Sequence, residues 1–352
     1  MWRNHMGMTQ APIIAARKPF YKELKAGQRV MWCACGRSQR QPYCDGRSHL
    51  GTGIEPVEYR APCDQEVLFC GCKQTCDAPM CDGTHSNLPG GYGEAEGAGD
   101  AMLVMPDEAG VARLDGACFV VSPGTLGSAE RYRCRTLVSP ELGAEHQSQY
   151  LIELAGGAAP ILSPPAGDAI LWVRAGTGRI AIGDRDFAIN GPLGLLVRRG
   201  ERFRLTAGAA PLSVYASICP AGPLVECDAM DDTFDAAVPE RRAPIDENAR
   251  KAMGPRYFQV LLDDRDGLDN SAQFIGHIPR SRAEMHRHLY EEALIILSGT
   301  GTIWNETRRA NVAAGDVIFF PRKHVHSLES TSAEGMDVVG LIHPGTNPGI
   351  NY

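Results

Sequence analysis

SQYLIEL at 148–154 and AQFIGHI at 272–278 stand 124 residues apart, and AILWVRAGTGRI at 169–180 is followed by ALIILSGTGTI at 293–303 at about the same spacing. NGPLGLLVRRGERF at 190–203 matches AAGDVIFFPRKHVHS at 313–327 with a one-residue shift. Several strand-like runs and two turn types recur in one order, which is the mark of a duplicated unit. Each run is short, apolar and bounded by Gly, Pro or Asp, the chemistry of strand–turn–strand units. No long stretch carries a helical period. Residues 101–220 and 250–345 are therefore expected to be two similar β-domains. The polar segment 227–253 is expected to join them, with one short helix at most.

The first 92 residues have a different texture. Eight of the twelve cysteines fall between 33 and 81, six of them in two near copies. One runs Cys33-x-Cys35-x2-Ser38-x3-Pro42-x-Cys44-Asp45-Gly46-Arg47-Ser48-His49, the other Cys70-x-Cys72-x2-Thr75-x3-Pro79-x-Cys81-Asp82-Gly83-Thr84-His85. Clustered C-x-C spacing in a reducing compartment points to metal rather than to disulfides. Soft thiolates suit zinc or iron–sulfur clusters. Zinc sites usually draw on C-x2–4-C pairs; C-x-C grips one iron while the following Cys–His turn grips a second.

Both copies resemble the CDGSH iron–sulfur domain, over roughly residues 15–90. The resemblance implies two 2Fe–2S clusters, one held by Cys33, Cys35, Cys44 and His49, the other by Cys70, Cys72, Cys81 and His85. The second copy fits the motif throughout, whereas the first has one extra residue, Arg47, ahead of Ser48 and His49. A histidine ligand raises a cluster's potential and makes it pH-sensitive. Cys63 and Cys76 lie outside the motif and read as plain thiols. NLPGGYGEAEGAGD at 87–100 reads as a linker.

HRHLYEEALIILSGTG and AAGDVIFFPRKHVHS carry a second set of donors. On an extended chain His286, His288 and Glu292 share a face and Glu291 does not, because side chains alternate. His326 returns after a turn to complete three imidazoles and a carboxylate, a set suited to Fe, Mn, Ni, Cu or Zn. His324 is the rival for the last position. This block resembles the cupin superfamily: His286-x-His288-x3-Glu292-x6-Gly299, then Gly315-x5-Pro321-x-Lys323-x2-His326. It departs from the motif at Arg280, Lys323 and Ser330. Lys323 is read as a solvated lysine or a group that meets an anionic substrate at the pocket mouth. In the first repeat the metal positions align with Ser163, Pro165, Ala169 and Arg202, which make no metal site.

The expected fold is mainly β: a small tandem CDGSH domain at 1–92, an N-terminal cupin barrel without metal ligands at 93–226, and a linker with a metal-binding C-terminal cupin barrel at 227–352. A net charge of −7 argues against nucleic-acid and anionic-membrane partners. The N-terminal stretch has no apolar core followed by a cleavage site, so the cytoplasm is the expected location. The resemblances imply a cupin-type non-haem iron oxygenase or oxidase with the clusters as built-in electron relay. It would take a small organic substrate, O2 and an external electron donor, with a homodimer expected. The metal would be Fe(II), with Mn, Ni, Zn and Cu as alternatives. The competing readings are a redox or iron sensor without turnover and a Mn or Zn isomerase or decarboxylase with regulatory clusters.

Overall fold

The computed structural model describes residues 10–90, 100–124, 126–127 and 129–352. The N-terminal segment 1–9 and the core of the expected linker, 91–99, lie outside the described residues.

Residues 10–90 form two small antiparallel pairs, Phe20–Leu24 with Gln65–Phe69 and Arg29–Trp32 with Val57–Arg60. Trp32, Phe69, Leu24 and Val67 make a compact core beneath the cysteine loops. The loops pack too tightly for side chains in places. A Cβ on Gly36 would lie 1.9 Å from the Ile13 carbonyl oxygen, and one on Gly71 would lie 2.1 Å from that of Lys18.

The repeats become two β-barrels. In the first, a six-stranded sheet centred on Asp168–Ala175 faces a five-stranded sheet; in the second, an eight-stranded sheet containing Glu291–Ile296 faces another five-stranded sheet. The matched segments take matched places: Ser148–Leu154 pairs with Leu212–Cys219 as Ala272–Ile278 pairs with Met336–His343. The large sheets pack against each other, so their central strands are buried on both faces. Along Glu291–Ile296, Leu294 and Ile296 point into the barrel with Glu292, while Ala293 and Ile295 meet Ile170, Trp172 and Tyr215 of the other sheet.

The barrels exchange strands across the expected boundary at 226/227. Met102–Leu103, Val111–Asp115 and Cys118–Val121 belong to sheets of the second barrel, whereas Arg242–Pro244 closes an edge of the first. The polar joining segment holds one 3-10 turn, Glu247–Ala249. It is clamped by a buried pair: Arg241 meets both oxygens of Glu201 at 2.7 Å, with the guanidinium over the Phe234 ring. Arg241→Met, which strands Glu201 in the interior, is expected to cost about 3–5 kcal/mol, read as a lower denaturant midpoint. A change below about 1 kcal/mol would mean that the pair is solvated.

Strand pairing in the first barrel shows what stands at the donor positions. Ala169 pairs with Ile218 and Val197 as Glu292 pairs with Ile342 and Phe320, so Ala169 does replace the carboxylate. Leu162 pairs with Phe203, and the same antiparallel count sets Ser163 opposite Arg202, the positions aligned with His286 and His326. Leu162, Ala169 and Phe203 are all fully buried in an apolar core.

Candidate functional site

In each cysteine–histidine copy the donors come as two pairs. Cys33 and Cys35 Sγ are 3.7 Å apart, and Cys44 Sγ is 3.4 Å from His49 Nδ1; the second copy repeats this at 3.5 Å for Cys70–Cys72 and 3.3 Å for Cys81–His85. All twelve cysteines are free. A disulfide needs about 2.05 Å, whereas two sulfurs on one tetrahedral metal stand about 3.8 Å apart for bonds near 2.3 Å. The extra residue Arg47 projects outward and leaves His49 as close to Cys44 as His85 is to Cys81. Asp45 holds that turn by accepting from the Arg47 and Ser48 N–H groups, and Asp82 accepts from Cys76 and Thr84. Burial pushes Cys72 up to about 11 and Cys81 up to about 12. Free thiols there keep their protons, and a bound cation is what favours the thiolates.

Lys73, unremarked in the sequence, is the buried cation of this unit. It is 6% exposed, donates to the Cys70 carbonyl at 3.0 Å, and lies 4.6 Å over the Trp32 ring. Burial lowers it to about 8, and Cys33, Cys70, Cys35 and Cys72 pull it back up.

In the second barrel, the backbones of His286 and His326 bond each other reciprocally at 2.9 Å, which brings their rings to 4.5 Å. The His288 ring lies 4.9 Å from that of His326, and its Nε2 is 3.2 Å from Glu292 Oε2. Each of the three imidazoles engages a backbone carbonyl through Nδ1: His286 that of Glu284 (2.8 Å), His288 that of Tyr290 (3.0 Å) and His326 that of His324 (2.9 Å). A carbonyl only accepts, so Nδ1 carries a proton and Nε2 is the nitrogen left to ligate in the neutral ring. Desolvation pushes His286 down to about 3 and His326 well below the usual range, so both are neutral, the ligating form.

Among the described residues, no three such side chains are already closed on a single point. The fit to a metal rests on the donor chemistry and on buried His288 Nε2, which has no partner in hydrogen-bonding geometry. The donor chemistry suits a divalent ion in the barrel, and the thiols and imidazole of each loop suit zinc or iron.

The other sequence candidates go elsewhere. His324 Nε2 faces Asp115 at 2.8 Å, outside the pocket. Glu291 turns to the barrel interface and accepts from the Glu145 and His146 N–H groups. Lys323 does not guard the pocket mouth: with Arg322 it grips Glu66 of the N-terminal unit. The cation that does reach the pocket is Arg256, which the sequence motif does not contain. It is 8% exposed and is the sole Lys or Arg among the described residues lining a cavity of about 90 Å³ with the four donors. The walls are otherwise mostly apolar, with Phe258, Phe274, Phe320 and Leu328.

A crevice of about 100 Å³ joins the two regions. His85 and Ser86 line one side, and Glu284, Met285 and His286 line the other. His49 is not part of it and lies beside Glu55 instead.

Residues 277–341 match the cupin domain family. The match spans the whole donor set of the second barrel. A 52-residue segment is 46% identical to the mitochondrial CDGSH iron-sulfur domain-containing protein 3 of Mus musculus, and 51 residues are 45% identical to the Homo sapiens protein of that name. Each match covers 14% of this chain, so the chain spans less than two-fifths of the length of these curated relatives (37% and 39%). Among solved structures, the double barrel resembles procruciferin, an 11S globulin from Brassica napus (TM-score 0.52, 10% identity, 65% of this chain and 85% of that one). It also resembles the formate complex of Lactobacillus farciminis oxalate decarboxylase (TM-score 0.50, 14% identity, 64% and 86%). At these identities the likeness concerns the fold, a mainly β bicupin. No helix among the described residues is long and apolar enough to cross a membrane.

Proposed function

We propose that this chain is a cupin-type non-haem iron oxygenase or oxidase with a CDGSH-type electron relay built into its N-terminal unit. The observation that carries the reading is the shared crevice: His85 of the second cradle and His286 of the barrel line the same opening within one chain. When bound, the barrel metal would supply Lewis acidity and open positions for a small substrate and O2, and the clusters would supply single electrons. His286, His288, Glu292 and His326 would hold the barrel metal; Cys33, Cys35, Cys44 and His49, with Cys70, Cys72, Cys81 and His85, would hold the clusters. Arg256, which donates to the Leu328 carbonyl at 3.3 Å, brings positive charge to an otherwise mostly apolar wall, and that charge supports an anionic substrate. An external donor would meet the first cradle, whose Arg47 and Leu50 are exposed. The clustered C-x-C spacing supports a reducing compartment such as the cytoplasm.

The test uses the chain loaded anaerobically with clusters and Fe(II). After dithionite reduction and admission of O2, loss of the reduced-cluster EPR signal is expected to be faster in the native chain than in a His288→Ala variant. Equal rates would overturn the relay. A second reading, a Mn decarboxylase, is supported by the likeness to oxalate decarboxylase and by Arg256 in the pocket. It predicts Mn in the purified protein and CO2 release that does not depend on cluster reduction.

A further inference from the structure

The last residues of the chain run between the two candidate centres. Asn347 Nδ2 donates to the Asp82 carbonyl at 2.9 Å, inside the second cysteine–histidine turn. Gly83, at φ 88°, packs against the same segment: a Cβ there would lie 3.5 Å from Asn347 Nδ2 and 3.6 Å from the Gly349 carbonyl oxygen. The next carbonyl, that of Pro348, accepts from Tyr290 Oη at 2.9 Å. The Tyr290 ring lies flat on His288, with centroids 4.0 Å apart and planes 9° from parallel, and His288 Nδ1 donates to the Tyr290 carbonyl. Beyond this point the tail is pinned, because Tyr352 pairs its backbone with Arg287 and stacks its ring on Tyr21.

We infer that Asn347 and Tyr290 are positioning residues that couple the second cradle to the barrel pocket. The inference rests on the functional reading above. A filled cradle holds the 81–85 turn, which carries only one short 3-10 turn of regular structure. That turn anchors Asn347, the 347–349 segment fixes the Pro348 carbonyl, and Tyr290 then holds the His288 ring square to the pocket. Binding energy at a metal or cluster site is in part ordering energy for the loops that supply its donors. Here the same loop is a wall for the tail that supports the other site. The coupling is reciprocal, so a metal in the barrel strengthens retention of the second cluster.

Mn(II) alone serves as the probe, added anaerobically to the full chain and followed by loss of its free six-line EPR signal. Cys81→Ser, which empties the second cradle, is expected to weaken Mn(II) binding about tenfold. Asn347→Ala, with both clusters verified by their visible spectra, is expected to weaken it to a similar degree. The double variant is expected to lose no more than either single one, since both cut the same line of contacts. Tyr290→Phe, which keeps the ring on His288 but loses the bond to Pro348, should behave as Asn347→Ala, and Tyr290→Leu should bind more weakly still. Mn(II) affinity within about twofold of native in both single variants, or losses that add in the double variant, would overturn the coupling. A native chain that took up neither Mn(II) nor Fe(II) would overturn both the functional reading and the inference built on it.

Discussion

Glu292→Gln is expected to weaken binding of a divalent metal by the barrel more than about 100-fold and to abolish turnover with it. Changes to residues that merely support ligands typically cost 10–100-fold, and Glu292 is the one carboxylate beside three imidazoles. The substitution keeps the shape of a side chain that is 6% exposed and paired by its backbone with Phe320 and Ile342. A folding defect is therefore not expected, and calorimetric metal titration of the folded variant is the measurement. Binding within about fivefold of native would place the metal elsewhere. Glu291→Gln is the control. Its carboxylate serves the Glu145 and His146 N–H groups at the barrel interface, so metal affinity should hold while stability falls.

Lys73→Met is expected to lower the midpoint potentials of the clusters in both cradles by roughly 50–100 mV. The ammonium is buried and faces thiols from both copies, Cys33 and Cys35 as well as Cys70 and Cys72. A cation favours the reduced, more negative cluster, so its removal makes reduction harder. One unit charge several ångströms away, at an effective dielectric near 20, is worth about 2 kcal/mol, and 59 mV corresponds to about 1.4 kcal/mol for one electron. EPR-monitored redox titration checks this, with Lys73→Arg expected to stay near native. Potentials shifted by less than about 20 mV would mean that solvent screens the charge.

Much of this was legible in the sequence because ligand chemistry is local. C-x-C followed by a Cys–Asp–Gly turn places its donors through a few dihedral angles. His286, His288 and Glu292 share a face by simple alternation. The repeat was legible for a similar reason, since strand and turn residues recur in order. What alternation could not supply was the packing of the first barrel. In the first barrel it is Leu162, Ala169 and Phe203 that pack in the apolar core, which spacing alone does not reveal. Nor could local pattern say where long side chains end. Lys323 reads from the sequence as a solvated lysine or a group at the pocket mouth, and it grips Glu66, 257 positions away in the chain.

The sequence by itself determined the mainly β double-barrel fold and singled out His286, His288, Glu292 and His326 and the two cysteine–histidine turns as candidate donors, because each depends on spacings of a few residues. Only the tertiary structure decided that strands 102–121 complete the second barrel and that Arg256 enters its pocket. It likewise decided that His85, rather than His49, shares a crevice with His286 and that the tail at 347–349 bridges the two regions. These are contacts between segments far apart in the chain. They follow from which apolar faces the large sheets bury against each other and from how the N-terminal unit docks through Glu66 and Tyr21. No spacing within one segment encodes them.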